Sequence, residues 1–235
     1  MQVVFRVGSN KTMGIGHFMR CLSFAQFFRD EDIKVNFVTT TRSGYLLKML
    51  EEENIGIVHG KRGDPQEDIN WTLNYLKSLK TVDLFVLDGY HFDTEYHDAV
   101  KCAGVKLLCI DDLAQIHFAC DYVLNQNLGS STLDYSMAPH TKLLLGPKYW
   151  LWRREFRKAP CKEKASLLSK KVSKIFVTLG GGDVTSQLTK FLRYLGIIDL
   201  SPDLHFKIST GHSDELLLAK VADQLSCRVE LIPHI

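Results

Sequence analysis

The feature that most constrains the fold is a regular alternation of two apolar patterns along the chain. Short runs rich in β-branched and aromatic residues are typical of buried strands, and the longer stretches between them carry apolar residues three and four positions apart, as amphipathic helices do. This alternation predicts an α/β fold, with a parallel sheet covered by helices on both faces. The predicted strands of the first part of the chain are Val3–Val7, Val35–Thr39, Gly56–His59, Leu84–Asp88, Val105–Ile110 and Tyr122–Asn125.

The helical pattern is clearest directly after the first predicted strand. Its apolar positions are Phe18, Cys21, Leu22, Ala25 and Phe28, which share one face of a helix. The predicted helices of this part of the chain are His17–Arg29, Tyr45–Glu53, Gln66–Lys80 and Thr94–Ala103.

The same alternation starts again after a polar, lysine-rich stretch, Arg153–Lys174, which contains Pro160 and which we interpret as a hinge or linker. The later elements are the strands Lys174–Leu179, His205–Thr210 and Arg228–Ile232 and the helices Val184–Leu195 and Asp214–Leu225. The sequence therefore predicts two domains, 1–155 and 172–235. Three strands and two helices make half of a doubly wound domain, so we expect the second domain to be incomplete or its open edge to be covered by something else.

Two glycine-rich turns each stand between a predicted strand and a predicted helix. The first spans Gly8–Gly16, and the second contains Gly180, Gly181, Gly182 and Asp183. Glycines let backbone N–H groups approach a ligand, and the following helix N-terminus adds a positive potential that favours phosphate. Either turn alone is equally compatible with an ordinary connection. One in each domain, facing each other across a cleft, favours a nucleotide-linked ligand.

A histidine occupies an unusual place in the segment GIGHFMRCL, which spans Gly14–Leu22. His17 stands where the first glycine turn passes into the helix. The field at a helix N-terminus disfavours a charged imidazolium, so we expect a neutral ring that can act as a base. The alternative is a histidine that only bonds to the turn at the start of the helix.

Acidic and amide side chains stand at the ends of three predicted strands. Asp88 ends one strand, with Tyr90 two residues later, and Asp111 and Asp112 follow the next. The segment 125–127, Asn-Gln-Asn, ends the third. Ligands bind at the carboxyl ends of parallel strands, so these side chains are candidates to line one site. Each acid alone is more often a helix N-cap.

Composition excludes several functional classes. The chain has 29 Lys and Arg against 27 Asp and Glu, a net charge of +2, which gives no basic surface for nucleic acid. No apolar run is long enough to predict a membrane span. The six cysteines form no C-x-x-C pair, which favours reduced thiols in a cytoplasmic protein. His117 and Cys120 have the spacing of metal ligands but lack a second pair, so we predict no metal.

The common cofactor motifs are also broken. Met19 stands where the dinucleotide fingerprint needs its third glycine, and the second predicted strand ends Thr39–Arg42 without the acid that would bind a ribose. There is no P-loop motif. We therefore predict no cofactor.

Several segments, in order, resemble a known enzyme family. They are FRV, GIGHFMRCLSFA, LDGY, IDDLAQIHFACDYVLNQN, YWLWRREF and VTLGGGD. This set is similar to the UDP-2,4-diacetamido-2,4,6-trideoxy-β-L-altropyranose hydrolases of pseudaminic acid biosynthesis, which are related to spore-coat polysaccharide proteins. The resemblance runs from about Phe5 to Asp183.

The resemblance implies a two-domain glycosyltransferase-B fold and a metal-free enzyme that binds a UDP-sugar. It implies that His17 is the catalytic base. It implies a substrate site and a diphosphate site, the first formed by Gly14, Gly16, Arg20, Asp88, Tyr90, Asp111, Asp112 and Asn127, and the second by Gly181, Gly182 and Asp183.

The implied reaction is hydrolysis at the anomeric carbon with inversion, in polysaccharide or pseudaminic acid biosynthesis. The alternatives are a glycosyltransferase of the same fold and a truncated homologue without catalytic activity. Two departures from the family stand out. Gly8-Ser9-Asn10 replaces the usual Asp-Ala-Ser, and family members usually continue beyond Ile235 with a further turn and helix that bind UDP.

Overall fold

A computed structural model describes residues 1–8, 15–61, 64–158, 172–180 and 183–233. The chain divides into two compact units, Met1–Ala159 and Pro160–Ile235. Each unit has its own parallel sheet and its own apolar core.

The first unit is built on a seven-stranded parallel sheet. Its strands are β1 (Gln2–Val7), β2 (Lys34–Thr39), β3 (Gly56–His59), β4 (Leu84–Asp88), β5 (Leu107–Ile110), β6 (Tyr122–Asn125) and β7 (Lys142–Leu145). They are arranged in the order β3-β2-β1-β4-β5-β6-β7. The chain thus builds outwards in one direction from β1 and then in the other from β4. At this switch point the carboxyl ends of β1 and β4 border a crevice, the usual ligand position in such sheets.

Helices cover both faces of this sheet. They are α1 (Gly16–Asp30), α2 (Gly44–Glu52), α3 (Pro65–Ser78), α4 (Thr94–Cys102) and the short α5 (Arg154–Arg157). Side chains of β1 alternate between the faces, with Phe5 packed under α1 and Val4 on the side of α3 and α4. The predicted apolar face of α1 is buried as expected, with Cys21 and Ala25 completely inaccessible.

Two parts of the first unit differ from the sequence prediction. Strand β7 was not predicted, because a run of four residues next to a glycine and a proline carries little periodicity. The start of the proposed linker is ordered as α5, where Arg154 donates to Asp30 and Glu53 at 2.7 and 2.6 Å. Residues 159–171, which include Lys170 and Lys171, lie outside the described ranges.

Just before α5, Trp150 stacks on Trp152 with ring centroids 5.4 Å apart.

The second unit has the predicted three strands and two helices. They are β8 (Lys174–Val177), α6 (Thr185–Leu195), β9 (His205–Gly211), α7 (Glu215–Ala222) and β10 (Arg228–Pro233), with the parallel strand order β10-β9-β8. Its core contains Leu188, Leu192, Ile208 and Leu218, which have no exposed surface. Within the described ranges of both units, the helices are all too short or too polar to cross a membrane.

Candidate active site

Helix α1 carries two polar side chains to the carboxyl end of β4. His17 and Arg20 lie in its first turns, three residues apart and so on one face of the helix. Both point at Asp88, the last residue of β4, whose side chain is completely buried. The group lies beside the switch point of the sheet, where β1 pairs with β4.

The Asp88 carboxylate is held by four donors. Arg20 donates to it through Nε at 2.6 Å and through Nη2 at 2.7 Å, which is the two-pronged pairing of guanidinium and carboxylate. Cys21 contributes its thiol at 3.1 Å. Burial alone would raise the pKa of Asp88, but the hydrogen bonds from Arg20 and His17, together with the charge of Arg20, hold it below the ordinary value. Asp88 is therefore a buried anion with a fixed orientation.

The fourth donor to Asp88 is the imidazole of His17. Nδ1 lies 2.6 Å from Asp88 Oδ1 and 2.9 Å from Arg20 Nη2. Because the carboxylate can only accept and its contact is the shorter, we assign the ring proton to Nδ1. Nε2 then keeps its lone pair, and it makes no hydrogen bond to any residue in the described ranges. This is the tautomer that a general base needs.

Arg20 links Asp88 to a second carboxylate. Its Nη1 lies 2.7 Å from both oxygens of Asp112. Burial would lower the pKa of the guanidinium, but the two acids raise it above its ordinary value. All three nitrogens of Arg20 are thus used within the protein.

Asp112 also accepts hydrogen bonds from two residues at the outer rim of the site. Tyr90 OH donates to it at 3.0 Å and Asn127 Nδ2 at 2.8 Å. The Tyr90 ring meets the His17 ring edge to face at a centroid distance of 4.7 Å. Of the side chains predicted for the substrate site, the structure therefore brings Arg20, Asp88, Tyr90, Asp112 and Asn127 together around His17.

Asp111 is oriented differently from its neighbour. Its Oδ2 accepts from the backbone N–H groups of Leu113 and Ala114 at 2.9 and 2.7 Å. Ala114 has a left-handed backbone (φ 53°), which these bonds hold in place. Tyr135 OH also donates to Asp111, at 3.2 Å. The contacts of Asp111 thus shape the turn after β5 and do not reach His17.

Gly8, at the end of β1, has no room for a side chain. A Cβ there would lie 2.5 Å from His91 Cε1 and 3.3 Å from the carbonyl oxygen of Asp88. Its N–H donates to that carbonyl at 2.7 Å. The departure at position 8 thus coincides with a histidine that occupies the space of the missing side chain.

Only part of each glycine turn belongs to the described residues. Gly16 begins α1, and a Cβ there would meet no atom of the described chain within 4 Å. Gly14, Gly181 and Gly182 lie outside the described residues. Asp183 precedes α6 in the second unit, and its Oδ1 accepts from Thr185 N and Oγ1 at 3.0 and 2.6 Å. Within the described ranges no cluster of three or more His, Cys, Asp or Glu has the geometry of a metal site.

Two curated proteins are similar in sequence to this chain. The UDP-2,4-diacetamido-2,4,6-trideoxy-beta-L-altropyranose hydrolase of Campylobacter jejuni is 28% identical over 187 residues, which are 78% of this chain and 62% of that protein. An uncharacterised protein of Methanocaldococcus jannaschii is 24% identical over 213 residues, which are 89% of this chain and 42% of that protein. The chain thus spans less than two thirds of the length of these relatives. No family model matches the sequence.

Several solved structures are similar to this chain in fold. MurG of Acinetobacter baumannii has a TM-score of 0.57 at 16% identity, with 100% of this chain and 67% of that chain covered. The glycosyltransferase SnogD from Streptomyces nogalater has a TM-score of 0.59 at 15% identity, with 100% of this chain and 72% of that chain covered. HepE of Anabaena, solved in complex with UDP-glucose, has a TM-score of 0.63 at 11% identity, with 100% of this chain and 69% of that chain covered. The fold is that of the glycosyltransferase-B enzymes. The predicted fold class is confirmed.

Within this glycosyltransferase-B fold, sequence reasoning missed two side chains that support the site, Cys21 and Tyr135. Cys21 could have been found, since it lies four residues after His17 and so on the same helix face. Asn125 was a candidate at the end of its strand, but its contacts were not predicted. It is buried, accepts from Asn127 N at 3.0 Å and donates to Tyr135 OH at 2.9 Å. Tyr135 gave no sequence signal, because its partners come from distant parts of the chain.

We expect Tyr135 to make the folded protein sensitive to alkali. Burial, together with the charge of Asp111, raises the pKa of Tyr135 to about 12. An unfolded chain releases this proton at about pH 10, so above that pH the unfolded state binds fewer protons and the free energy of unfolding falls. Tyr135→Phe should flatten this fall between pH 10 and 12 by up to about 1.4 kcal/mol per pH unit.

Urea unfolding at a series of pH values measures this slope. Tyr45→Phe is the matched control, since Tyr45 is mostly exposed. Equal slopes for the two variants would show that Tyr135 ionises alike in the folded and unfolded chain.

Proposed function

We propose that this chain is a UDP-sugar hydrolase. It would release UDP and the free sugar from a UDP-linked 2,4-diacetamido-2,4,6-trideoxy sugar, with inversion at the anomeric carbon. The observation that carries the proposal is the state of the His17 imidazole at the carboxyl edge of the sheet. Its Nδ1 is hydrogen-bonded to Asp88, and its Nε2 has no hydrogen bond within the described chain. The likeness to the Campylobacter jejuni hydrolase supports the choice of substrate.

The proposed step uses one base and no acid. Nε2 of His17 takes a proton from a water molecule as its oxygen attacks the anomeric carbon. The bond from that carbon to the phosphate oxygen breaks, and its electron pair leaves with UDP. UDP needs no protonation to depart, because its phosphate is already ionised at neutral pH.

The carboxylates and Arg20 would then have positioning roles. Asp88 fixes the tautomer of His17 and stabilises the imidazolium that forms when Nε2 is protonated. Arg20 holds Asp88 against Asp112, since each of its three nitrogens donates to one of these carboxylates. We propose that donors for the departing diphosphate include backbone N–H groups of the glycine turn before α1 and of the helix N-terminus behind it.

A glycosyltransferase is the second candidate function, since proteins described as glycosyltransferases share this fold. The two activities differ in their need for an acceptor. A transferase must exclude water and bind an acceptor, whereas a hydrolase must leave a water molecule beside the base.

The product decides between these functions. The chain should be incubated with the UDP-linked diacetamido sugar in water enriched in a heavy oxygen isotope, and followed by proton and phosphorus NMR. We expect UDP and free sugar to appear without an acceptor, with the isotope in the sugar and the opposite anomer formed first. Release of UDP only when an acceptor is added would assign a transferase. Isotope in the UDP would show attack at phosphorus and would overturn the proposed step.

A further inference from the structure

Another histidine, His91, lies at the carboxyl edge of the sheet beside the switch point. It stands three residues after Asp88, in the turn between β4 and α4. Its ring packs on that of Phe92 with the centroids 4.0 Å apart. Phe92 is buried in the same cluster as Val4, on the α3 and α4 side of the sheet. His91 therefore lies across the sheet edge from α1, the helix that carries His17.

Two glycines leave the space that the His91 ring occupies. A Cβ on Gly8 would lie 2.5 Å from His91 Cε1, and a Cβ on Gly89 would lie 3.0 Å from the same atom. Gly8 directly follows β1 and Gly89 directly follows β4, which are the two strands that border the switch point. The ring thus lines the crevice in which ligands of such sheets bind.

The His91 imidazole is exposed, and its hydrogen-bonding groups are unused within the described chain. Neither ring nitrogen bonds to a residue of the described ranges. Partial burial, together with the charge of Arg6, lowers the pKa of His91 below its ordinary value, so the ring is neutral near pH 7. A neutral imidazole has one N–H donor and one acceptor nitrogen. Because Phe92 and the two glycines hold the ring in place, these two groups are preorganised for a ligand.

The proposed reaction directs the sugar towards His91. The proposed diphosphate donors include the N-terminus of α1, and the anomeric carbon joins the diphosphate to the sugar ring beside His17. The sugar would then extend away from α1, past Tyr90, whose ring contacts that of His17. The next residue along the chain is His91, on the far side of the sheet edge.

We propose that His91 binds the sugar of the UDP-sugar, with its ring nitrogens on one hydroxyl or acetamido group. This inference rests on the proposed function, because the position of the sugar follows from the attack at the anomeric carbon beside His17. His91 takes no part in the proton transfer. It determines the affinity for the sugar and the choice of sugar, and it does not contribute to the binding of UDP.

The affinity of a matched variant tests this contact. His91→Phe keeps a flat ring against Phe92 and the glycines but removes both nitrogens. Calorimetric titrations should use the His17→Gln background, so that the UDP-linked diacetamido sugar is not hydrolysed. We expect His91→Phe to weaken binding of the UDP-sugar by about three- to tenfold and that of UDP by less than about twofold. His140→Phe, at an exposed position outside the site, is the matched control and should change neither affinity.

The outcomes of this titration separate the inference from the proposed function. An unchanged affinity of the His91→Phe variant for the UDP-sugar would overturn the inference. An equal loss for UDP and for the UDP-sugar would overturn it as well, because the sugar would then not be the partner. Both results leave the proposed function intact when the wild type releases UDP and free sugar. A wild-type chain that neither binds nor hydrolyses the UDP-sugar would overturn the proposed function and the inference together.

Substrate analogues identify the group on the sugar that His91 binds. In each analogue, one acetamido or hydroxyl group of the UDP-linked sugar is replaced by hydrogen. For the analogue that lacks the partner of His91, His91→Phe should cause no further loss of affinity, whereas the other analogues keep the loss of about three- to tenfold. A loss of the same size for every analogue would contradict the proposal.

Nitrogen-15 NMR reports on the His91 ring directly. The His91→Phe variant assigns its signals, and UDP or the UDP-linked diacetamido sugar is then added to the chain in the His17→Gln background. We expect the ring signals of His91 to shift with the UDP-sugar and to stay in place with UDP. The same response to both ligands, or none to the bound UDP-sugar, would overturn the assignment of His91 to the sugar.

Discussion

Replacement of His17 by alanine is expected to lower the rate of UDP-sugar hydrolysis by about 10²–10⁴-fold. The reason is that, in the proposed mechanism, the imidazole takes the proton from water. The affinity for the UDP-sugar should change little, because Nδ1 is turned towards Asp88 and not towards the ligand. The measurement is kcat and KM for the wild type and the variant, with affinity determined by calorimetry.

His17→Gln tests the same assignment with a side chain of similar size that keeps a polar group near Asp88. It should be as inactive as the alanine variant and should unfold at a temperature close to that of the wild type. His140→Ala is a suitable control, since His140 is exposed and is not one of the residues of the site. If either His17 variant keeps more than about a tenth of the rate, the residue is not the general base.

Asp88→Asn is expected to have the second large effect, on both rate and stability. Arg20 Nε and the Cys21 thiol both donate to Oδ2, so the amide oxygen should take that position and the amide NH₂ group the position of Oδ1, next to His17 Nδ1. The ring must then accept at Nδ1 and carry its proton on Nε2, where it cannot act as a base. We expect kcat to fall by about 10²–10⁴-fold with little change in KM.

The same change removes one of the two negative partners of a buried guanidinium. Loss of one member of a buried ion pair typically destabilises a protein by about 3–5 kcal/mol, and Asp112 will offset part of this. Denaturant unfolding measures the loss of stability, and the nitrogen-15 shifts of the His17 ring report the tautomer. Asp134→Asn, at an exposed position, is the control. An unchanged tautomer with reduced activity would mean that Asp88 acts only through stability.

Much of the fold could be predicted from the sequence, because the strands of this sheet are nearly continuous apolar runs. Val35–Thr39 and Leu84–Asp88 are examples, since both faces of the sheet are covered. Helix α5 could not be predicted in the same way. Three of its four residues are charged, and the ion pairs of Arg154 depend on Asp30 and Glu53, more than a hundred positions away.

The candidate site, like the fold, could be predicted only in part from the sequence. The residues at strand ends share one edge because parallel strands all end there, so the proximity of Asp88 to Asp112 follows from topology. The different orientations of Asp111 and Asp112 do not follow from sequence. They depend on the turn at Ala114 and on Tyr135, which no local pattern connects to β5.

The placement of the tryptophans determines what intrinsic fluorescence can report on this protein. All three, Trp71, Trp150 and Trp152, belong to the first unit, and two of them are stacked. Their emission will therefore follow the melting of the first unit and will not directly register that of the second. A tryptophan at Phe176, which is 55% exposed on β8, would supply the missing optical probe.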